Sequence, residues 1–446
     1  MISEGFSRWT TTRKAGIDLL FLFLAASEGM LARVSRNSVF ITVEKGAHLL
    51  GGMLLLVGVA RLLGKSGLAD YAVVIGLTAF FVPILDAGTN NRIIKASASS
   101  PAHGRIACLE ALSFKLALAL PVLAVMTGIA WAIGARPDVV LATVLVGIST
   151  VSMSMGDGLN AVFKGLQRSG YCALLMLGLN VLLLAGGIGA MIAGWGLVGV
   201  AMCYLVCRAG YLAAGFVLVR PAAGEPGSVL QPGFNRRWIV DGLKHLPAVY
   251  YLINLLSLNY LTIYYQTGGG AEAGYLAVGY RLAAALLILF GASFEAVLPA
   301  LSAGLPDRQA FMKLVGRSAV TLTGIAIAVS AAVQWMLGPA VTWLLGQAYL
   351  PALPFAMHLV WCVPPFVLCG LAHTTLLAAH EQGRAAGWML VLVVFGVGAG
   401  VFAHHYHGAV LTAFVPAISG SVLGAVLWWL VGSRKELFCG PASRTG

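Results

Sequence analysis

The chain alternates long apolar runs with short polar connections over most of its length. A helix needs about 20 apolar residues to cross the hydrocarbon core of a bilayer. The runs are continuous and do not alternate every second residue, which favours helices over barrel strands. The pattern therefore predicts an all-α, polytopic membrane protein with twelve transmembrane helices, at 37–60, 70–91, 106–133, 139–163, 170–193, 196–219, 238–263, 273–298, 311–337, 351–378, 385–403 and 409–432.

The longest internal polar stretch divides these spans into two equal sets. It is rich in Pro and Gly, as a linker is. Two halves that enter the membrane in the same orientation would be related by an axis along the membrane normal. We predict an N-terminal extension at 1–36, a six-helix bundle at 37–220, a cytoplasmic linker at 221–237, a second six-helix bundle at 238–432 and a tail at 433–446. The extension fits either an interfacial amphipathic helix or a non-native segment.

Composition supports a membrane protein, because 59% of the residues are hydrophobic and only 10% are charged. The net charge of +12 does not indicate nucleic-acid binding, since most basic residues flank the spans. Their distribution is unequal: one set of connections holds nearly all of them, and the other holds only Arg61, Lys65 and Arg136. This asymmetry predicts that both termini are cytoplasmic.

Five basic residues fall inside apolar spans. A charged side chain at the centre of a bilayer costs about 2.5–3.5 kcal/mol on insertion scales, so each of these residues needs a reason. If they face one lumen, they form a cationic cavity able to accept an anionic group. The alternatives are snorkelling of Lys45 and Lys244 to the interface and an ion pair for Arg281. The candidate anion ligands are Lys45, Lys115, Arg208, Lys244 and Arg281.

Two further groups of polar residues lie within spans. Glu44 precedes His48 by one turn, so the two share a helix face and could relay a proton. With them, Asp157 and Glu295 are candidates for ion coupling, and a structural role as partners of buried bases is the alternative. In the seventh span, residues spaced by three or four share one face and could contact a polar ligand or pack against other helices: Tyr250, Asn254, Ser257 and Tyr260.

The sequence indicates no catalytic residues, no metal and no cofactor. The predicted outer loops are only a few residues long, which argues against a membrane glycosyltransferase, polymerase or ligase. The cluster of His404, His405 and His407 has no carboxylate or Cys beside it and fits an exposed turn. A phosphate-binding loop of the Walker type is absent, so direct use of ATP is not indicated.

Four short motifs stand out for their order and spacing: ARLLGKSGLADY at 60–71, GYLAVGYRL at 274–282, LPALS at 298–302 and LLGQAY at 344–349. Together they resemble motifs of Wzx-type polysaccharide flippases of the multidrug/oligosaccharidyl-lipid/polysaccharide (MOP) exporter superfamily. The chain departs from the family where Ala69 and Asp70 replace an acid-aromatic-Gly run.

The resemblance implies a MATE-like fold and the flipping of a polyprenyl-diphosphate-linked oligosaccharide to the outer leaflet of a bacterial cytoplasmic (inner) membrane. Alternating access of the two bundles, coupled to an ion gradient, is the implied mechanism. The implied partners are the lipid-linked saccharide, membrane lipids and the polysaccharide polymerase machinery. For such a substrate, the five basic residues inside the spans are the candidate diphosphate ligands, and the polar face of the seventh span is the candidate sugar-binding stripe. A MATE-like drug or metabolite antiporter is the alternative, and it would favour an acidic cavity.

Overall fold

The computed structural model describes residues 39–222, 255–304, 308–379 and 382–433, and this part of the chain contains helices and no strand. The predicted extension 1–36 and most of the predicted linker lie outside these residues, as does most of the seventh predicted span. Among the described residues, eleven helices are long and apolar enough to cross a membrane. The prediction of an all-α polytopic membrane protein is therefore confirmed.

The first half contains seven helices. Pro101 and Pro137 stand in the first turns of two of them, where the missing N–H of proline costs no hydrogen bond. The third helix is short and follows a turn in which Ala87 and Gly88 both have positive φ angles. The helices are α1 Val39–Leu62, α2 Gly64–Asp86, α3 Thr89–Ser99, α4 Pro101–Ala132, α5 Pro137–Gly165, α6 Ser169–Ile192 and α7 Gly196–Ala222.

The second half begins, in the described residues, with the end of the seventh predicted span. Its tenth predicted span is broken into three pieces, and Pro364 and Pro365 stand in the first turn of the last piece. The elements are α8 Leu255–Thr267, α9 Ala271–Gly304, α10 Arg308–Leu344, a 3₁₀ helix at Gln347–Ala352, α11 Leu353–Val360, α12 Val363–Ala378, α13 Gln382–Thr412 and α14 Val415–Ser433.

One helix forms the centre of packing in each half. In the first half, α5 packs against α2, α3, α4 and α7, and in the second half α12 packs against α9, α10 and α14. The halves meet where α2 packs against α8 and α9. A single cluster of buried apolar side chains runs across this contact, from Leu77 in α2 to Leu276 in α9.

Large apolar side chains cover the outer surface. Trp131, Val320 and Trp335 are 78%, 76% and 84% exposed, respectively. Such extensive apolar exposure is unfavourable in water and marks a surface that meets another apolar phase. A bilayer supplies that phase for helices of this length.

Candidate functional site

A cavity of about 590 Å³ lies between the two halves. Its walls come from α1, α3, α5 and α6 of the first half and from α9 and α12 of the second. On α1 the wall extends from Glu44 to Leu56, which corresponds to about 18 Å along a helix axis. The cavity therefore extends across much of the thickness of a hydrocarbon core.

One end of the cavity is closed by contacts between the halves, and we call it the closed end. At its centre, Tyr264 of α8 donates a hydrogen bond of 2.6 Å to the carboxylate of Asp70 in α2. Asp70 also forms an ion pair of 2.5 Å with Arg136, which precedes α5. The Asp70 carboxylate raises the pKa of Arg136. Asp70 is 2% exposed, so its charge depends on these two donors.

The remaining hydrogen bonds that join the halves at the closed end, among the described residues, go to backbone carbonyls. Their donors are tyrosine hydroxyls and one arginine. The bonds join Tyr260 to the Ala69 carbonyl at 2.9 Å, Tyr349 to the Ala60 carbonyl at 2.9 Å, and Arg61 to the carbonyls of Leu344 at 2.6 Å and of Trp343.

The opposite end of the cavity, which we call the open end, carries basic side chains. Lys45 near the start of α1 and Lys164 near the end of α5 line the cavity there. Arg281 of α9 lines the wall contributed by the second half. The guanidinium of Arg281 lies 5.9 Å from the ring of Tyr71, and its Nη2 atom is buried without a hydrogen-bond partner among the described residues.

Of the other three predicted diphosphate ligands, Lys115 and Arg208 do not line the cavity. Lys115 is fully buried in α4, and its amine donates to the Asn90 amide oxygen at 3.0 Å and to the Ser154 carbonyl at 2.7 Å. Its amine also lies 3.7 Å from the carboxylate of Asp86. The structure thus places Lys115 behind the cavity wall, and Lys244 lies outside the described residues.

Arg208 of α7 also stands apart from the residues that line the cavity. Its guanidinium donates to the hydroxyls of Ser149 at 3.2 Å and Thr150 at 3.0 Å. The same group lies 4.7 Å from the ring of Tyr204. Arg208 thus joins α7 to α5 within the first half.

Three of the four candidates for ion coupling line the cavity: Glu44, His48 and Asp157. Glu44 is 6% exposed and forms an ion pair of 2.9 Å with Lys164. Asp157 accepts a hydrogen bond of 2.9 Å from Tyr211. The fourth candidate, Glu295, belongs to α9, but its side chain is outside the described part of the structure.

The predicted sugar-binding stripe is only partly described. Tyr250 and Asn254 lie outside the described residues, and Ser257 is described only as part of the α8 backbone. Tyr260 is 3% exposed, and its hydroxyl donates a hydrogen bond to the Ala69 carbonyl at the closed end. The structure thus places Tyr260 at a contact between the halves.

The cavity wall also contains residues that the sequence pattern did not single out as binding residues. Lys164 is one of them. It lies near the end of a span, so in the sequence it counts among the basic residues that indicate topology. Asn160 is another: it lies one turn after Asp157 and donates a hydrogen bond of 2.7 Å to the Tyr211 hydroxyl. Asp157, Asn160 and Lys164 are spaced by three and four residues along α5, so helical spacing alone would have placed them on one face.

Several solved structures share this fold at low sequence identity. An inward-facing multidrug resistance MATE family transporter of the MOP superfamily has a TM-score of 0.65 and 14% identity, with 90% of this chain and 96% of that chain covered. An outward-facing transporter of the same description has a TM-score of 0.65 and 14% identity, with 91% and 96% covered. A Pyrococcus furiosus MOP superfamily transporter, for which a reverse polarity of the binding pocket suggests a different function, has a TM-score of 0.59 and 15% identity, with 90% and 95% covered.

These similarities establish a MATE-like fold, and the eleven membrane-length apolar helices of the described residues indicate a multi-pass membrane protein. A search of curated protein sequences gave no match. The profile of the family described as "Polysaccharide biosynthesis protein" matches residues 34–305, which is more than half of the chain. The chain therefore belongs to the polysaccharide biosynthesis protein family and has the fold of the transporters of the MOP superfamily.

Proposed function

We propose that this protein moves a polyprenyl-diphosphate-linked oligosaccharide across a bacterial cytoplasmic membrane by alternating access. The observation that carries the proposal is Arg281, whose guanidinium lines the cavity with one buried nitrogen left without a partner among the described residues. A buried donor without a partner costs about 1–3 kcal/mol, and more when it is charged. The oxygens of a phosphate are acceptors that match the geometry of a guanidinium.

Two further cations can reach the same ligand. Lys45 and Lys164 line the cavity at its open end, and the Lys164 side chain is 27% exposed. A diphosphate diester carries one negative charge on each phosphate group. The lysines would receive this headgroup first, and Arg281 would bind it deeper between the halves.

The apolar part of the wall suits the remainder of such a substrate. Met53 and Leu56 of α1 face Leu287 and Ile288 of α9 across the cavity. Phe294 and Phe366 supply aromatic rings, which offer apolar faces to bound molecules. A cavity that combines apolar walls with a few charged groups is typical of a small-molecule site.

The charge asymmetry gives the direction of transport in this proposal. Arg61, Lys65 and Arg136 flank the closed end, whereas the helix ends on the opposite side carry a larger set of bases in the described residues: Arg92, Lys95, Arg105, Lys164, Arg168, Arg308, Lys313 and Arg317. Under the positive-inside rule the open end faces the cytoplasm. A headgroup synthesised in the cytoplasm would then enter a cavity that is closed towards the outside.

The rival function, export of cationic drugs or metabolites, needs free carboxylates in the cavity. Among the described residues, the acids in the wall are Glu44 and Asp157. Glu44 is paired with Lys164, and Asp157 accepts a hydrogen bond from Tyr211. Each carboxylate thus has one donor as a partner, and the wall holds the basic side chains of Lys45, Lys164 and Arg281 against these two acids, which favours an anionic substrate.

The test is leaflet crossing of a fluorescent polyprenyl-diphosphate-linked saccharide in vesicles that contain the purified protein. We expect Arg281→Ala and Lys45→Ala to slow crossing by about tenfold or more, because truncating one partner of a buried charge pair typically costs about 2–5 kcal/mol. Arg317→Ala and Lys313→Ala are matched controls, since both side chains are exposed on α10. Wild-type rates in both cavity variants, or transport of a cationic dye alone, would overturn the proposal.

A further inference from the structure

Lys164 already forms an ion pair with Glu44, and a diphosphate bound in the cavity would compete with Glu44 for the same amine. The Lys164 amine lies 2.9 Å from Glu44 Oε1, and the 27% exposed side chain lines the cavity. Glu44 Oε2 is buried and has no hydrogen-bond partner among the described residues. Lys164 is therefore the hydrogen-bonding partner on which the Glu44 carboxylate depends.

We propose that a bound diphosphate takes Lys164 from Glu44 and that Glu44 then takes up one proton. This inference rests on the proposed function and specifies how the same cavity is coupled to protons. In the empty cavity, Glu44 is ionised and paired with Lys164. In the occupied cavity, Lys164 donates to a phosphate oxygen and Glu44 is a neutral carboxyl.

The burial of Glu44 is the physical reason for the proton. A carboxylate that is 6% exposed and has lost its countercharge is strongly unfavourable. Protonation removes the negative charge, so the buried carboxyl no longer needs a countercharge. The protonated oxygen also becomes a hydrogen-bond donor. The proton comes from water at the open end. Binding of one diphosphate is therefore accompanied by uptake of one proton from the solvent.

The surroundings of Glu44 limit the groups that could replace it as the proton acceptor. Asp157 accepts a hydrogen bond of 2.9 Å from Tyr211, whereas the Lys164 amine forms its ion pair with Glu44. A loss of Lys164 would therefore leave Asp157 with its own donor. The titratable and charged groups that face Glu44 in the described residues are Lys45 and His48 of α1, Asp157 and Lys164 of α5, Cys172 of α6, Tyr211 of α7 and Arg281 of α9.

Proton and diphosphate binding must then be linked in both directions. If the anion promotes protonation of Glu44, a proton on Glu44 promotes binding of the anion by the same factor. With one proton taken up per anion, the dissociation constant rises by up to about tenfold for each pH unit above neutrality. A site without this linkage would show no such slope.

The experiment measures binding of geranyl-diphosphate-linked glucose to the purified full-length protein in lipid nanodiscs between pH 6 and 9. This probe is a diphosphate diester, so its own charge does not change over that range. Calorimetry in buffers with different ionisation enthalpies gives the number of protons taken up. We expect close to one proton for the wild type and none for Glu44→Gln, whose affinity becomes independent of pH.

Two further variants keep the test decisive. Lys164→Met should bind the probe about tenfold more weakly and take up no proton, whereas Asp157→Asn should keep the proton uptake. Glu272→Gln is the matched control for the charge change, because Glu272 is exposed at the start of α9, and its proton uptake should equal that of the wild type.

The two proposals fail in different ways. If the wild type does not bind the probe at all, the proposed function is wrong. If it binds the probe without taking up a proton, or if Glu44→Gln takes up as many protons as the wild type, the coupling through Glu44 and Lys164 is wrong. If Asp157→Asn alone abolishes the uptake, Asp157 is the acceptor and the assignment to Glu44 is overturned.

Discussion

The hydroxyl of Tyr264 offers a direct test of how the closed end holds the two halves together. It donates a hydrogen bond of 2.6 Å to Asp70, whose carboxylate is 2% exposed. The substitution Tyr264→Phe removes this donor and leaves the ring in place. A hydrogen bond to a charged group contributes about 1.5–3 kcal/mol. The ratio of closed to open molecules should therefore fall by about 10- to 150-fold.

The measurement is the distance between spin labels at Leu62 and Leu350, in a protein without its native cysteines. Both side chains lie near the closed end and are 48% and 42% exposed, so labels should fit there. We expect Tyr264→Phe to add a population with longer distances that is absent from the wild type. Asp70→Asn should add the same population, because its neutral amide oxygen is a weaker acceptor for the Tyr264 hydroxyl than the carboxylate is.

The control for this experiment is Tyr265→Phe. Tyr265 is the next residue in α8, and it is 61% exposed. Tyr265→Phe also removes a tyrosine hydroxyl, but the hydrogen bond between Tyr264 and Asp70 is retained. If Tyr264→Phe and Tyr265→Phe both give the wild-type distance distribution, the bond to Asp70 does not hold the cavity closed and the reasoning fails.

Two other predictions concern packing rather than the substrate. Lys115→Met should destabilise the protein by about 1–3 kcal/mol, because it leaves the Asn90 amide oxygen and the Ser154 carbonyl without their donor; thermal unfolding in detergent should show this loss, and Lys95→Met, at an exposed position, should not. Gly274→Ala should weaken the closed end, because a Cβ atom at Gly274 would collide with the backbone carbonyl of Lys65. The spin-label measurement should then show more open molecules, whereas Gly316→Ala, where a Cβ meets open space, should leave the distances unchanged.

The sequence was sufficient to predict the helices because their cause is local. Backbone polar groups must be satisfied within each span, so a continuous apolar run in a membrane becomes a helix. The division of the spans into two sets, read from local composition, stays a prediction. Two details of the helices were missed: the tenth predicted span is broken at Trp361 and Cys362 before α12 begins, and the second predicted span ends at Asp86, before the unpredicted helix α3.

The cavity was harder to predict, because it depends on which face of each helix meets its neighbours. α4 is apolar around its whole circumference, so its sequence does not reveal that Lys115 points towards Asn90 and Ser154. Lys164 was hidden for the opposite reason. It stands near the end of α5, where a base is expected from topology alone, and only the packing of α1 against α5 brings it to Glu44.

The acceptors at the closed end have a consequence for how this contact can change during evolution. Apart from Asp70, they are backbone carbonyls, at residues such as Ala60, Ala69 and Leu344. Every residue has a carbonyl, so these positions can change without loss of the bond, while Tyr260, Tyr349 and Arg61 cannot. Substitutions on the two sides are therefore not correlated. Covariation among homologous sequences should detect the pair of Asp70 and Arg136 but miss most of the interface that closes the cavity.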